Sequence, residues 1–359
     1  MSKLYNVTEP EAVKSRWKSF WRHEYIGRPY VCLKATKDGC SRHSYDGSYV
    51  RRIRAARAGD MRSYLLDCDA HARSTVHYGE SLPNYSMDIS PDQHAMFFGG
   101  RVECRDGQYT NWVKPIADEL SELDLTFDRN CEAVRTLEGA LRAAADFADG
   151  RFLVHVPDYH SNLDTLSALL SPQNLCYELI DNPELLEEKL DQINSVYNEI
   201  YDIFYRAGRM EENGALGWLP LYCEGRVAVI QCDFSCMISP RDAVKYLIPS
   251  LERELDSLDH SVYHYDGSGA LGHFEDVMAI KRLDCLQWKP DPGEKTYDRM
   301  HLLLRAQELG KSVWLYDWSP EEILADDRLD PALTVFSLSV KSEAEAEDFM
   351  LRLEKKYHA

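Results

Sequence analysis

The sequence predicts a parallel α/β fold, and three observations carry that prediction. Short apolar runs of strand length alternate with longer amphipathic runs of helical period along most of the chain. About eight such strands can be counted, and several end in polar and aromatic clusters, as strands do where they hand over to functional loops. At 359 residues, without a Pro/Gly/Ser-rich linker or a low-complexity run, the chain is expected to form one domain over residues 1–359. Together these features point to a distorted (β/α)8 TIM barrel with an N-terminal helical extension; a doubly wound open sheet is the alternative.

The extension is EPEAVKSRWKSFWRHE (9–24), in which Val13, Trp17, Phe20 and Trp21 share one side of a helix. YVCLKAT (30–36) is the first strand. Residues 50–82 are expected to be helical around VRRIRAARAGDMRSYLLD. SLPNYSMDISPDQHAMFFGG (81–100), interrupted by Pro83, Pro91 and Gly99-Gly100, reads as irregular with a strand near Asn84, and it carries Asp88 and His94. GRVECRDGQYTNWVKPI (100–116) alternates as a β-excursion turning at Asp106-Gly107. CEAVRTLEGALRAAADFA (131–148) is an Ala-rich helix with Gly150 as its stop. RFLVHVPDYH (151–160) is a strand whose end is crowded by Asp158, Tyr159, His160, Asn162 and Asp164.

A long helix over 183–207 has Asn182 as its N-cap, Pro183 at its first position and an apolar face of Leu186, Leu190, Ile193, Tyr197, Ile200 and Phe204. VAVIQC (227–232) then leads to a helix that starts sharply at Ser239, Pro240 and Asp242, and that Pro249 should kink. SVYHY (261–265), DCLQW (284–288), SVWLY (312–316) and ALTVFSL (332–338) complete the strands, and the chain closes on a helix.

The net charge of −19 is spread over the helices, which argues against nucleic acid or an anionic membrane as a partner. Arg51, Arg52, Arg54 and Arg57 make the one basic cluster and read as a solvated helix face. No apolar run reaches the length of a membrane span, and the N-terminus has neither export nor transit features, so a soluble, cytoplasmic protein is expected. The 10 cysteines contain no CxxC pair and read as reduced thiols, most of them in the core. Neither a GxGxxG nor a GxxxxGK[ST] motif follows a strand, so nucleotide sites of those types are not indicated.

DFSCMISPRDAVKYLIPSLERELDSLDHSVYHYDGSGAL and LDCLQWKPDPG resemble the uroporphyrinogen decarboxylase superfamily, in particular its decarboxylase-like members of undefined function. DYHSNLDTLSALL, LIDNPELLEEKLDQI and PNYSMDI extend the likeness over nearly the whole chain. The resemblance implies a distorted (β/α)8 barrel with its cleft at the strand C-termini, and a homodimer. True decarboxylases of the superfamily carry an arginine motif after the first strand, where LKATKDG (33–39) has no arginine. Their tyrosine falls near Leu169 and their late histidine within 335–338, which contains none, whereas Asp88 matches their pyrrole-binding aspartate.

The superfamily's other branch transfers methyl groups from corrinoids and holds zinc through a His-x-Cys pair and a distant Cys. Here those positions read His264-Tyr265-Asp266 and Ser337 or Ser339. The resemblance thus implies a methyltransferase assisted by zinc or another divalent metal and working with a corrinoid (cobalamin) protein. His264 and Asp266 would be metal ligands, with Cys232, Asp233 or His160 as the third, a harder and more oxygen-rich set than the family's.

The catalytic candidates are therefore Asp88, His264 and Asp266, and the metal candidates His264, Asp266 and Cys232. Asp158, Tyr159, His160, Asp233, Gln287, Trp288 and Tyr316 are the candidate contacts to a small-molecule substrate, with Trp314 and Asp317 beside them and Tyr85, Trp218 and Tyr222 as an aromatic lining. Two alternatives stand next to methyl transfer. One is a metal-independent decarboxylase or lyase in which Asp88 or Asp266 handles a proton. The other is a non-catalytic barrel that binds a ligand or a corrinoid partner.

Overall fold

The computed structural model describes residues 3–357. In chain order the strands are β1 (Tyr30–Thr36), β2 (Thr75–Gly79), β3 (Asn84–Tyr85), β4 (Arg101–Glu103), β5 (Trp112–Lys114), β6 (Leu153–Val154), β7 (Val227–Gln231), β8 (His260–Asp266), β9 (Cys285–Lys289), β10 (Ser312–Leu315) and β11 (Thr334–Ser339). Seven of them form one sheet in the order β2-β1-β11-β10-β9-β8-β7, parallel except that β2 runs antiparallel to β1. The molecule is thus a mixed α/β fold around a largely parallel sheet. β3 pairs in parallel with β6, and β4 with β5 forms the expected excursion. The described strands pair as a sheet of seven and two sheets of two, not as a closed ring of eight.

The antiparallel β2 corrects the sequence reading. Residues expected to be one helical stretch form helices Tyr49–Arg57 and Arg62–Arg73, parted at Gly59 (φ 67°), and then return as a strand beside β1. TVHYG is too short for its alternation to stand out; its pairing partners on β1 define it. Arg52 also departs from the solvated face expected of it. It is buried, with Nε donating to the Asp88 carbonyl (2.5 Å) and one terminal nitrogen to that of Gly47 (2.7 Å).

Alternation divides the strand residues between two apolar clusters. Tyr30, Cys32, Val229, Val262, Cys285, Trp314 and Val335 share one with Trp17 and Phe20 of α1 (Pro10–Trp21). Val31, Leu33, Ile230, Tyr265, Leu286 and Trp288 belong to the other, packed against the helices. Burial on both faces is why these strands read as nearly continuous apolar runs. Leu82, Leu153, Leu216, Leu219 and Leu221, from outside the seven-stranded sheet, join the first cluster, which makes it the inner one.

α1 is anchored to the inner face by a buried charge network. Trp17 stacks on Tyr30 (6.5 Å between centroids) and donates Nε1 to the Glu80 carbonyl (2.9 Å). The Glu80 carboxylate, wholly buried, receives Arg16 Nε (2.6 Å), both terminal nitrogens of Arg28 (2.9 Å each) and the Val31 amide (2.7 Å). Burial works against its ionisation, but Arg28 and Arg16 outweigh burial and hold its pKa below the ordinary value.

The helix over Pro183–Ala207 buries all six residues of its expected face. Ser239 caps the helix after β7, its Oγ accepting from the Asp242 amide (3.2 Å). That helix widens into a π turn at Ala243–Leu247 and resumes at Ile248–Leu255, so Pro249 falls in a new first turn where its missing N–H costs little. No helix among the described residues is long and apolar enough to cross a membrane.

Candidate functional site

The C-terminal ends of β7 and β8 meet the loop after β6, and charged side chains gather at that corner. Register pairs Gln231 with His264 and His264 with Gln287, so these three project from the inner side, beyond Val229, Val262 and Cys285. The half-buried His264 donates from Nδ1 to Oε1 of the buried Gln287, which leaves the Nε2 lone pair available. The Trp218 ring stands nearly edge-on to the imidazole, 5.0 Å away. Asp233, which opens the short helix Asp233–Met237, and Asp266, at the end of β8, are both exposed. One ligand atom from each of Asp233, His264 and Asp266 lies within 4.8 Å of the others.

Cys232 is turned elsewhere. It is buried, its Sγ lies 3.6 Å from Asp164 Oδ1, and burial together with the Asp164 and Asp233 charges pushes its thiol pKa well up. A protonated, buried thiol is a poor metal ligand. Asp233 occupies the third place beside His264 and Asp266.

A second set surrounds His160. Its Nε2 lies 3.4 Å from Asp158, and its Nδ1 lies 3.6 Å from Asp164 and 3.9 Å from Asp233. His160, Asp164 and Asp233 also bring one ligand atom each within 4.8 Å, so Asp233 belongs to both sets. Burial alone would depress the His160 pKa; Asp158, Asp164 and Asp233 overcome it and raise it to about 10. Burial and the Asp233 charge raise the Asp164 pKa, against His160 and the Phe234 and Asp233 amides. Those amides donate to Asp164 at 2.8 and 2.9 Å, so Asp164 fixes the turn that presents Asp233. A cavity of about 330 Å³ opens here, lined among others by Asp92, His160, Asp164, Asp233 and Met237.

Asp88 reaches this corner only indirectly. It is buried, with Oδ1 accepting from Gln93 Nε2 (2.8 Å) and the Asp158 amide (3.0 Å), and Oδ2 from Ser86 Oγ (2.5 Å). Gln93 also donates to the Asp158 carbonyl (2.7 Å), and Gln231 to the Asp158 carboxylate (3.2 Å). Tyr159 and Trp288 sit in the outer core: Tyr159 stacks on Phe204 (6.2 Å) and Trp288 lies against Tyr265 (5.8 Å). Tyr316 is half-buried beside Trp314, and burial, Asp317 and Asp266 push its phenol up to about 12. Asp317 is tied to Thr296, accepting from its Oγ1 (2.8 Å) and amide (3.2 Å). Tyr85 pairs with His71 (2.7 Å), and Tyr222 bonds the Asn213 carbonyl (3.3 Å).

No family model and no curated protein sequence matches this chain. Among solved structures, a methyltransferase from Methanosarcina mazei superposes with a TM-score of 0.59, over 97% of this chain and 99% of its own, at 13% sequence identity. The two share a fold. At that identity the likeness concerns the backbone, and the chemistry has to be argued from this chain's own side chains.

Some of those side chains are not among the candidates drawn from the sequence. Asp164 is marked there only as one of the residues crowding the end of RFLVHVPDYH, although its spacing from His160 is a signal, and alternation along β7 is one for Gln231. Asp92 and Gln93, in an irregular segment, gave none. Glu254 lies behind the corner, wholly buried, with Oε1 accepting from Ser161 Oγ and from Asn162 Nδ2 (2.8 Å). Burial raises its pKa to about 7.

Proposed function

We propose that this chain is a methyltransferase that uses a divalent metal and takes its methyl group from a corrinoid protein. The observation that carries the reading is the convergence of Asp233, His264 and Asp266 at adjacent strand ends. His264 and Asp266 stand where the corrinoid methyltransferases resembled by this sequence hold zinc. The reading includes a single distorted (β/α)8 barrel, supported by the five leucines that β3, β6 and their neighbouring segments add to the inner cluster. A cytoplasmic homodimer is part of it through the resemblance alone.

The side chains fit a divalent cation. One imidazole, oriented through Nδ1 by Gln287, and two exposed carboxylates would hold such an ion through nitrogen and oxygen. When bound, such an ion supplies the Lewis acidity that keeps a thiol or phenol acceptor deprotonated and nucleophilic. Asp164 holds Asp233 in place through its backbone amide, and Trp218 walls one side of His264. Protein purified without chelator should carry stoichiometric metal and demethylate methylcobalamin with a thiol or phenol acceptor, and His264→Gln should lose the demethylation and hold less metal. No metal, and no demethylation with any such acceptor, would end the reading.

His160 favours a second reading. An imidazole whose proton is held among three carboxylates beside a cavity is equipped as a general acid for a metal-independent decarboxylase or lyase. Carbon dioxide release from a carboxylated substrate that withstands EDTA would support that alternative.

A further inference from the structure

We propose that His160, Asp164 and Asp233 form a second divalent-cation site, so that the Asp233 carboxylate bridges two metal ions. One ion would be held with His264 and Asp266, the other with His160 and Asp164. This inference rests on the metal reading above and extends it from one ion to two.

The first ground is charge. Asp158, Asp164 and Asp233 converge on one imidazole at 3.4, 3.6 and 3.9 Å, and that imidazole can neutralise at most one of them. Among the described residues no lysine or arginine forms an ion pair with any of the three, or with Asp92 on the same cavity wall. Asp158 and Asp164 are buried and Asp233 is exposed; buried carboxylates without a matching cation are destabilising, and a divalent ion supplies two charges where an imidazolium supplies one.

The second ground is geometry. The contacts of His160 are longer than the roughly 2.7–2.9 Å of a good charge-assisted hydrogen bond. One ligand atom each from His160, Asp164 and Asp233 nevertheless lies within 4.8 Å of the others, as a common ion would require.

Asp233 supplies the third ground. It is the one residue common to both sets, and a carboxylate has one oxygen to offer each ion. Its backbone is fixed by Asp164, itself a member of the second set, so the bridge is built on a held turn. The cavity beside the second set gives an ion a way in and leaves room for water to complete its shell. Ions that share a ligand are close enough to act on one substrate together.

The test uses the full chain, stripped of metal and dialysed against Mn2+, with bound ions counted and the electron paramagnetic resonance spectrum recorded. Two ions per chain with an exchange-broadened signal are expected. His160→Gln and His264→Gln should each retain one ion and show the resolved hyperfine spectrum of an isolated Mn2+. Metal-free melting curves establish that each variant is folded, and His160→Asn replaces the glutamine variant if that one is not. One ion per chain, kept in His160→Gln and lost in His264→Gln, overturns the second site and leaves the proposed function standing. One ion lost in His160→Gln and kept in His264→Gln, or no ion at all, overturns both.

Discussion

Asp233 and Cys232 are neighbours in sequence with opposite fates, and the reason is the turn between β7 and the next helix. Asp164 accepts both the Asp233 and Phe234 amides, which rolls Cys232 into the core and leaves the Asp233 carboxylate at the mouth. Strand alternation in the sequence already separates the two residues to opposite faces. Which of them meets His264 depends on Asp164, about seventy positions earlier, and no local pattern carries that information. For the same reason Tyr159 and Trp288 could not be told from pocket residues: an aromatic at a strand end reads alike whether it faces a ligand or a helix.

Glu254 shows how the buried acids around this corner bear on stability. Its folded pKa, raised by burial to about 7, lies above the ordinary 4.5, so the folded state keeps a proton that the unfolded chain releases. Its favourable linkage is fully present below about pH 4.5 and is lost as pH rises through about 7. Urea denaturation from pH 5 to 8 should therefore show a fall on the order of 3 kcal/mol that Glu254→Gln removes. A variant with the same pH slope as the wild type would place the responsible group elsewhere.

Among the elements, α1 illustrates what helical periodicity can and cannot say. The apolar face of Val13, Trp17 and Phe20 is plain in the sequence, and all three are buried. Their destination, the inner face of the sheet, is set by Glu80, which joins Arg16, Arg28 and the Val31 amide just after β2. β2 itself was hidden because a five-residue strand with two polar members has no periodicity of its own. Replacing Glu80 with Ala leaves Arg28 buried without its partner and should destabilise the fold by about 3–5 kcal/mol in chemical denaturation. A loss under about 1 kcal/mol would show that α1 is held by apolar packing alone.

Across the whole molecule, the alternation of strands and helices was legible because both faces of the parallel strands are buried and each strand is a dense apolar run. The expected ring of eight is not seen among the described strands, where β3 and β6 are two residues each and pair only with one another. The candidate corner was legible as a place: polar residues end the strands on either side of it. Its chemistry follows from which of those residues converge, and that convergence gives a nitrogen/oxygen set in which no cysteine takes part. X-ray absorption at the metal edge of the zinc-loaded protein tests this most directly. The account predicts only nitrogen and oxygen scatterers at about 2.0–2.2 Å, with the bound zinc reduced in His264→Gln. A sulfur scatterer near 2.3 Å, which would bring Cys232 into the shell, or a protein that holds no zinc, would contradict it.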